Sequence, residues 1–307
     1  MMNCMLEIES LSKTYGDFYA IQDIHLNIVA GDICAVIGKN GAGKTTLFKC
    51  ITEQVFQTKG TISFYGKSDR VEVRQERHKM GAIIEEPAFF QDFTARQNLE
   101  YYRQQRGIAG KSSIDQALRE VNLMDTGKKK FKAFSMGMKQ RLGLALALMT
   151  HPTFLILDEP TNGLDPEGKA EIRQLLQRLN REKNVTMLIS SHVLSELQSI
   201  ATRYIFIDQG RIIQELTAEE LLNKTRKSIE LVVKDSRQAA PILEKNFPDI
   251  PYQILPNHHI QLFGGMDMTD QINRVLHNHN IAVISINIKG EDLEEYYLSL
   301  LGGERNA

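Results

Sequence analysis

Eight residues, Gly38-Lys39-Asn40-Gly41-Ala42-Gly43-Lys44-Thr45, constrain this chain more than any other feature. They fit the pattern G-x-x-x-x-G-K-S/T. The apolar run Ile33–Ile37 leads into them as a buried strand, and Thr46–Ile51 leaves them as a helix. Glycines let such a loop curl until its N–H groups converge on a phosphate group. The helix N-terminus behind it adds partial positive charge. Gly38, Asn40, Gly41, Ala42, Gly43 and Thr46 are expected to wrap the phosphates. Lys44 is expected to reach the β- and γ-phosphates, and the Thr45 hydroxyl to hold Mg²⁺. The ligand class is therefore a nucleoside triphosphate, ATP or GTP.

With 307 residues, 42% of them hydrophobic, the chain can bury a sizeable core in one large domain plus a small one, or in two medium ones. A formal net charge of −1 gives no bulk electrostatic case for nucleic acid or an anionic membrane surface. Cys4, Cys34 and Cys50 lack metal-like spacing and fit a reducing cytosol. The start, Met1–Met5, has neither the basic nor the apolar segment of a signal peptide. No run approaches the ~18 apolar residues of a membrane span, and Leu142–Met149 reads as a buried helix. Any membrane role is expected to come through a partner.

Strand-like runs at Leu6–Ile8, Ile24–Ile28, Thr61–Tyr65 and Met80–Ile84 precede a helical zone from about Thr94 to Thr150. Two buried-strand runs, Phe154–Leu157 and Val185–Ile189, follow with an amphipathic helix between them. Apolar strands alternating with helices predict a parallel sheet covered on both faces, with residues 94–150 as a helical subdomain. The character changes near Asn223–Lys227, giving expected domains of 1–223 and 224–307. Beyond it the order is strand (Ile229–Val233), helix (Ser236–Phe247), strand (Tyr252–Leu255), strand (His259–Phe263), helix (Thr269–His279) and strand (Ile281–Ile288). This β-α-β-β-α-β order predicts a small α+β, ferredoxin-like unit. A last helix, Asp292–Leu301, and a disordered tail from Gly302 are expected to close the chain.

A second cluster turns a binding loop into a hydrolytic one. Phe154–Leu157 is an apolar strand that ends in Asp158-Glu159-Pro160. Parallel sheets present the carboxyl ends of their strands on one edge, where ligands bind. Asp158 is expected there as a Mg²⁺ partner and Glu159 as the general base for water. Phosphoryl transfer needs little beyond positioning and charge neutralisation, so two acids, one lysine and a metal suffice.

Further motifs carry a family resemblance. Ser135-Met136-Gly137-Met138-Lys139-Gln140-Arg141 stands just ahead of a helix, Thr161-Asn162-Gly163-Leu164-Asp165 follows the acids, and His192 follows Ser190-Ser191. With Tyr15 in Ser12-Lys13-Thr14-Tyr15-Gly16, these motifs resemble, in order, those of the ATP-binding subunit of an ABC transporter over roughly the first 220 residues. The resemblance implies an α/β fold: a P-loop ABC ATPase core with a mixed sheet and a helical subdomain. It implies that Tyr15 stacks on adenine and that His192 contacts the γ-phosphate. Ser135 and Gly137 would face the ATP of an opposite subunit, and Asp165 would couple the two sites.

Two departures from the family pattern stand out. Met136 and Met138 replace a glycine and a glutamine of the signature. Glu85, in Ile83-Ile84-Glu85-Glu86-Pro87, stands where the family has glutamine. As a carboxylate Glu85 can ligate Mg²⁺, a hard cation. The glutamate loop, the methionine-containing signature and the extension ending in Leu293–Leu298 are similar to subunits that export bacitracin and lantibiotics. The resemblance then implies ATP and Mg²⁺ as cofactors, a homodimer or heterodimer packed head-to-tail, and a separate integral membrane permease. It places a bacterial chain peripherally, at the cytoplasmic face of the membrane, in antibiotic immunity or resistance. The alternative is a soluble ABC ATPase acting on nucleic acid or ribosomes. Its relatives carry two ATPase units or a long coiled-coil insertion, neither of which is present here.

Overall fold

The computed structural model describes residues 4–85, 88–225, 227–290 and 293–303. Met1–Asn3 of the start, Glu86 and Pro87 after Glu85, Arg226 at the expected boundary, Glu291, Asp292 and residues 304–307 lie outside them. The chain forms two compact units, Met1–Ala218 and Glu219–Ala307.

The first unit opens with a long hairpin, β1 (Cys4–Tyr15) and β2 (Phe18–Val29), joined by Gly16-Asp17. Then come β3 (Ile33–Ile37), α1 (Lys44–Ile51), β4 (Lys59–Phe64), α2 (Arg70–Arg77) and β5 (Met80–Ile83). Three helices occupy the predicted helical zone: α3 (Ala95–Gln105), α4 (Ser112–Glu120) and α5 (Met136–Leu148). The unit continues through β6 (Phe154–Leu157), α6 (Pro166–Lys183), β7 (Thr186–Ser191), α7 (Leu194–Leu197), β8 (Arg203–Asp208) and β9 (Arg211–Thr217). The helix starts are chemically marked. Thr94 and Gln97 form a capping box on α3, Ser135 caps α5, and Asp165 with Pro166 starts α6.

Six strands form one sheet in the order β5-β6-β7-β3-β8-β9, parallel except for the β8–β9 pair. Every residue of β3, β6 and β7 is buried, as expected for strands covered on both faces. The runs at Leu6–Ile8, Ile24–Ile28 and Thr61–Tyr65 do not join this sheet. They lie in a separate antiparallel sheet ordered β2-β1-β4. The reason is local: a two-residue turn returns the chain at once, whereas parallel pairing needs a crossover. Leu6, Ile8, Leu11, Ile21, Ile24 and Ile28 of the hairpin share a buried core with Leu47, Phe48 and Ile51 of α1.

In the second unit, α8 (Ala218–Thr225) spans the division and leads to β10 (Ser228–Val233), α9 (Ser236–Asn246), β11 (Tyr252–Leu255) and β12 (His259–Leu262). Next come α10 (Thr269–Asn278), β13 (Val283–Lys289) and α11 (Leu293–Gly303). The strands pair in the order β11-β12-β10-β13, all antiparallel, which is the ferredoxin-like arrangement. Helix α11 runs through Gly302 and Gly303, which the sequence had left to the tail; helical hydrogen bonding carries past the last leucine to the glycines that end it. Ile229, Leu231 and Val233 of the central strand pack with Ile260, Leu262, Leu243, Ile272 and Leu276. Leu231 is fully buried, so Leu231→Ala should cost about 3 kcal/mol of stability in this unit, measured by urea unfolding.

Candidate functional site

Four loops converge because four parallel strands end on one edge. The glycine loop follows β3, Glu85 follows β5, Asp158 and Glu159 follow β6, and His192 follows β7. A cavity of about 490 Å³ opens there, lined by Tyr15, Phe18, Lys39, Asn40, Gly41, Gly43, Lys44, Thr45, Thr46, Glu159 and Asn162. A larger cavity of about 790 Å³ lies along α6 near Arg141 and Arg178, away from these loops, and takes up none of the candidate residues.

The loop is built for an anion. Gly43 sits just ahead of α1 with φ 109° and no side-chain cap, so the first N–H groups of the helix are not taken by a capping side chain. A Cβ at Gly43 would lie 2.7 Å from the Ala20 carbonyl oxygen, so no larger residue fits. Lys44 is buried, and its Nζ donates to the carbonyls of Gly38 at 2.7 Å and Lys39 at 3.2 Å. Ala42 packs into the core, its carbonyl accepting from the Gly210 N–H at 2.9 Å.

The acids are held by hydroxyls. The Thr45 hydroxyl donates to Asp158 Oδ2 at 2.7 Å, and the Ser190 hydroxyl donates to Asp158 Oδ1 at 2.5 Å. Ser190 Oγ also accepts the Glu159 N–H at 2.8 Å. Glu159 has φ 50°, in the left-handed region that non-glycine residues seldom occupy. Its carboxylate lies 3.3 Å from Lys44 Nζ and meets Nδ1 of His192. One carboxylate thus bridges the loop lysine and the histidine.

Glu85 lies elsewhere on this edge. It also has a left-handed φ, 63°, and its carboxylate pairs with Lys49 Nζ at 2.5 Å instead of joining Thr45 and Asp158. Ser135, Gly137 and Asp165 line a separate cavity of about 490 Å³ with Gly163 and Leu164. Ser135 Oγ accepts the Met138 N–H at 3.3 Å, and Asp165 accepts the Gly168 N–H at 3.0 Å.

Several residues escaped the sequence reading. Phe18 faces Tyr15 across the hairpin turn and is 65% exposed in the same cavity. Its signal was the two-residue Gly16-Asp17 turn, which pairs its flanks. Ser190 is wholly buried; a polar residue closing an otherwise apolar strand was the clue. Glu196 accepts from Thr161 at 2.7 Å and Lys169 at 2.6 Å, and from Ser191 at 3.4 Å. It ties the chain after Glu159 to the start of α6 and to the His192 loop.

The sequence matches the ABC transporter family over residues 21–162. It is 37% identical over 303 residues to the bacitracin transport ATP-binding protein BcrA of Enterococcus faecalis, covering 99% of this chain and 98% of that one. This chain belongs to the ABC transporter ATP-binding proteins. The lantibiotic transport ATP-binding protein SrtF of Streptococcus pyogenes is 42% identical over 211 residues, covering 69% of this ABC subunit and 90% of SrtF. Among solved structures, the ATP-binding cassette MJ0796, described as a dimer in a post-hydrolysis state with ADP and Pi, matches with a TM-score of 0.62 and 25% identity, over 70% of this chain and 99% of that one. The ABC subunit is an ATPase. Cassettes of this family dimerise and work with a membrane permease, and among the described residues no helix is long and apolar enough to cross a membrane.

Burial pushes the Glu196 carboxyl up, but the Lys169 ammonium and Thr161 hydroxyl outweigh it and leave the group below the usual carboxylate range. A depressed folded pKa contributes stability above the unfolded value, near 4.3, and loses it as pH falls. Glu196→Gln should therefore cost about 1–2 kcal/mol at pH 7, a gap that begins to narrow in melts as pH falls past the unfolded value, about 4.3, and closes once pH passes below the depressed folded one.

Proposed function

We propose that this ABC ATPase hydrolyses Mg²⁺-ATP to power export of a peptide antibiotic or similar amphipathic compound through a separate permease, giving immunity or resistance. The observation that carries the export reading is the end-to-end likeness to BcrA, which extends through the C-terminal unit. In this reading residues 1–223 form the ATP-binding domain and 224–307 an accessory domain. The subunit sits at the cytoplasmic face of a bacterial membrane, held there by the permease. Two copies, or this chain and a homologue, pack head-to-tail.

The site residues then take these roles. Tyr15 stacks on adenine, with the Lys13 ammonium 5.0 Å from the centroid of its ring. The loop from Gly38 to Thr46 wraps the phosphates, and Lys44 neutralises their charge. The Thr45 hydroxyl and Asp158 carboxylate, 2.7 Å apart, are hard oxygen donors that suit Mg²⁺, with Glu85 at the loop's margin as a further ligand. Mg²⁺, when bound, offsets charge on the phosphate oxygens. Glu159 accepts a proton from water as the water oxygen attacks the γ-phosphorus; the bond to the β,γ-bridging oxygen breaks, and ADP and phosphate leave. His192 orients the Glu159 carboxylate and contacts the γ-phosphate. Ser135, Gly137 and Asp165 serve the partner's ATP. A Cβ at Gly137 would meet nothing nearer than Leu164 Cδ2 at 4.0 Å, so packing within the chain does not require glycine there. A phosphate approaching from another subunit does.

Expressed with its permease in a sensitive bacterium, the chain should raise tolerance to bacitracin or a lantibiotic. Protection against no member of a panel of peptide antibiotics and amphipathic compounds that includes both would sink the export reading. Glu159→Gln should cut steady-state ATP hydrolysis about 10²–10⁴-fold while ATP binding stays within a few-fold. Ser190→Ala should lower kcat about tenfold or more with little change in KM, because both acids lose their common anchor, and Ser190→Thr should restore it.

A further inference from the structure

We infer that Lys49 is the charge partner that makes a glutamate workable at position 85: it positions the Glu85 carboxylate and neutralises it beside the phosphates. The inference rests on the ATP reading of the glycine loop.

A closed circuit of contacts carries it. Thr45 and Lys49 are four residues apart on α1, hence on one face and about 6 Å apart along the axis. Thr45 donates to Asp158 at 2.7 Å. The Asp158 N–H donates to the Ile83 carbonyl at 2.8 Å, at the end of β5. Glu85 is two residues beyond Ile83 and returns to Lys49 at 2.5 Å. Glu85 is therefore tethered, by its backbone and by its side chain, within about one helical turn of the residue proposed to hold the metal.

Charge explains why the circuit needs a lysine. Lys44 pairs with Glu159 and Lys49 with Glu85, while Asp158 is held by the Thr45 and Ser190 hydroxyls. Without Lys49, the Glu85 carboxylate would stand without its cation on a sheet edge meant for a polyanion. The backbone at Glu85 adds to the argument. With φ 63° the residue is in a conformation that carries a cost, and the ion pair rewards it. The side chain of Glu85 is 66% exposed and that of Lys49 25%, so the pair is weak and screened by salt. It can hold the carboxylate in place and still release it.

The test is a double-mutant cycle in the full chain, read by fluorescence titration with trinitrophenyl-ATP in Mg²⁺ and in EDTA, with melts alongside. Lys49→Met should weaken binding about five- to tenfold at low salt, more in EDTA, where the phosphates carry their full charge. Raising ionic strength should shrink that penalty. Lys49→Arg should bind within about twofold of wild type, and in EDTA, where no metal needs Glu85, the Lys49→Met/Glu85→Gln double variant should recover most of the affinity that Lys49→Met loses. Penalties that simply add, or a loss seen only with Mg²⁺, overturn the charge-partner role. A wild-type chain that binds no trinitrophenyl-ATP overturns the ATP reading itself, and this inference with it.

Discussion

The bond from the Thr45 hydroxyl to Asp158 is the contact on which the site depends. It ties the loop and helix after β3 to the tip of β6, although β7 lies between those strands. The connection is possible because the three strands are parallel and in step: Ile37 stands beside Ser191, and Leu157 beside Ile189. Strand β6 stops at the level of Ile189, two residues before β7 and β3 end, and Ser190 reaches from β7 to the residues that follow Leu157. Its hydroxyl spends its proton on Asp158 and a lone pair on the Glu159 N–H. Ser190 is wholly buried, so an unused donor or acceptor there would be costly. The sheet thus supplies a row of three oxygen-bearing side chains, and the phosphate loop is aligned to that row rather than to water.

What could be read from the sequence follows from how its information is distributed. The glycine loop, Asp158-Glu159 and the α5 N-cap at Ser135 are contiguous signals: one short segment holds the chemistry and the flanking strand or helix. The second unit was legible because its strands and helices alternate with clear periodicity. Contacts made between segments were not. Ser190 needs β6 beside β7, Lys49 needs the end of β5 beside α1, and Glu196 needs the loop after β6, α6 and the end of β7 together. The hairpin strands were read too short, since exposed polar residues such as Ser10 and Asp23 interrupt their apolar pattern. Strands β8 and β9 went unread, although Tyr204–Ile207 is as buried as the strands that were found.

Two carboxylates on this edge have left-handed backbones, and the contrast between them is informative. Glu159 is clamped: Ser190 takes its N–H, Lys44 and His192 take its oxygens, and its side chain is only 20% exposed. The base role proposed for Glu159 would need a position kept to a fraction of an ångström, and its buried partners enforce that. Glu85, itself exposed, has one half-buried lysine and the end of a short strand. An exposed ion pair is worth up to about 1 kcal/mol, close to thermal energy, so Glu85 is biased toward its place without being locked there. The same sheet edge therefore carries one carboxylate clamped by several partners and another held at its margin by a single ion pair. In the export reading proposed above, coupling to a permease would draw on the second kind, a carboxylate on a loop outside the rigid row.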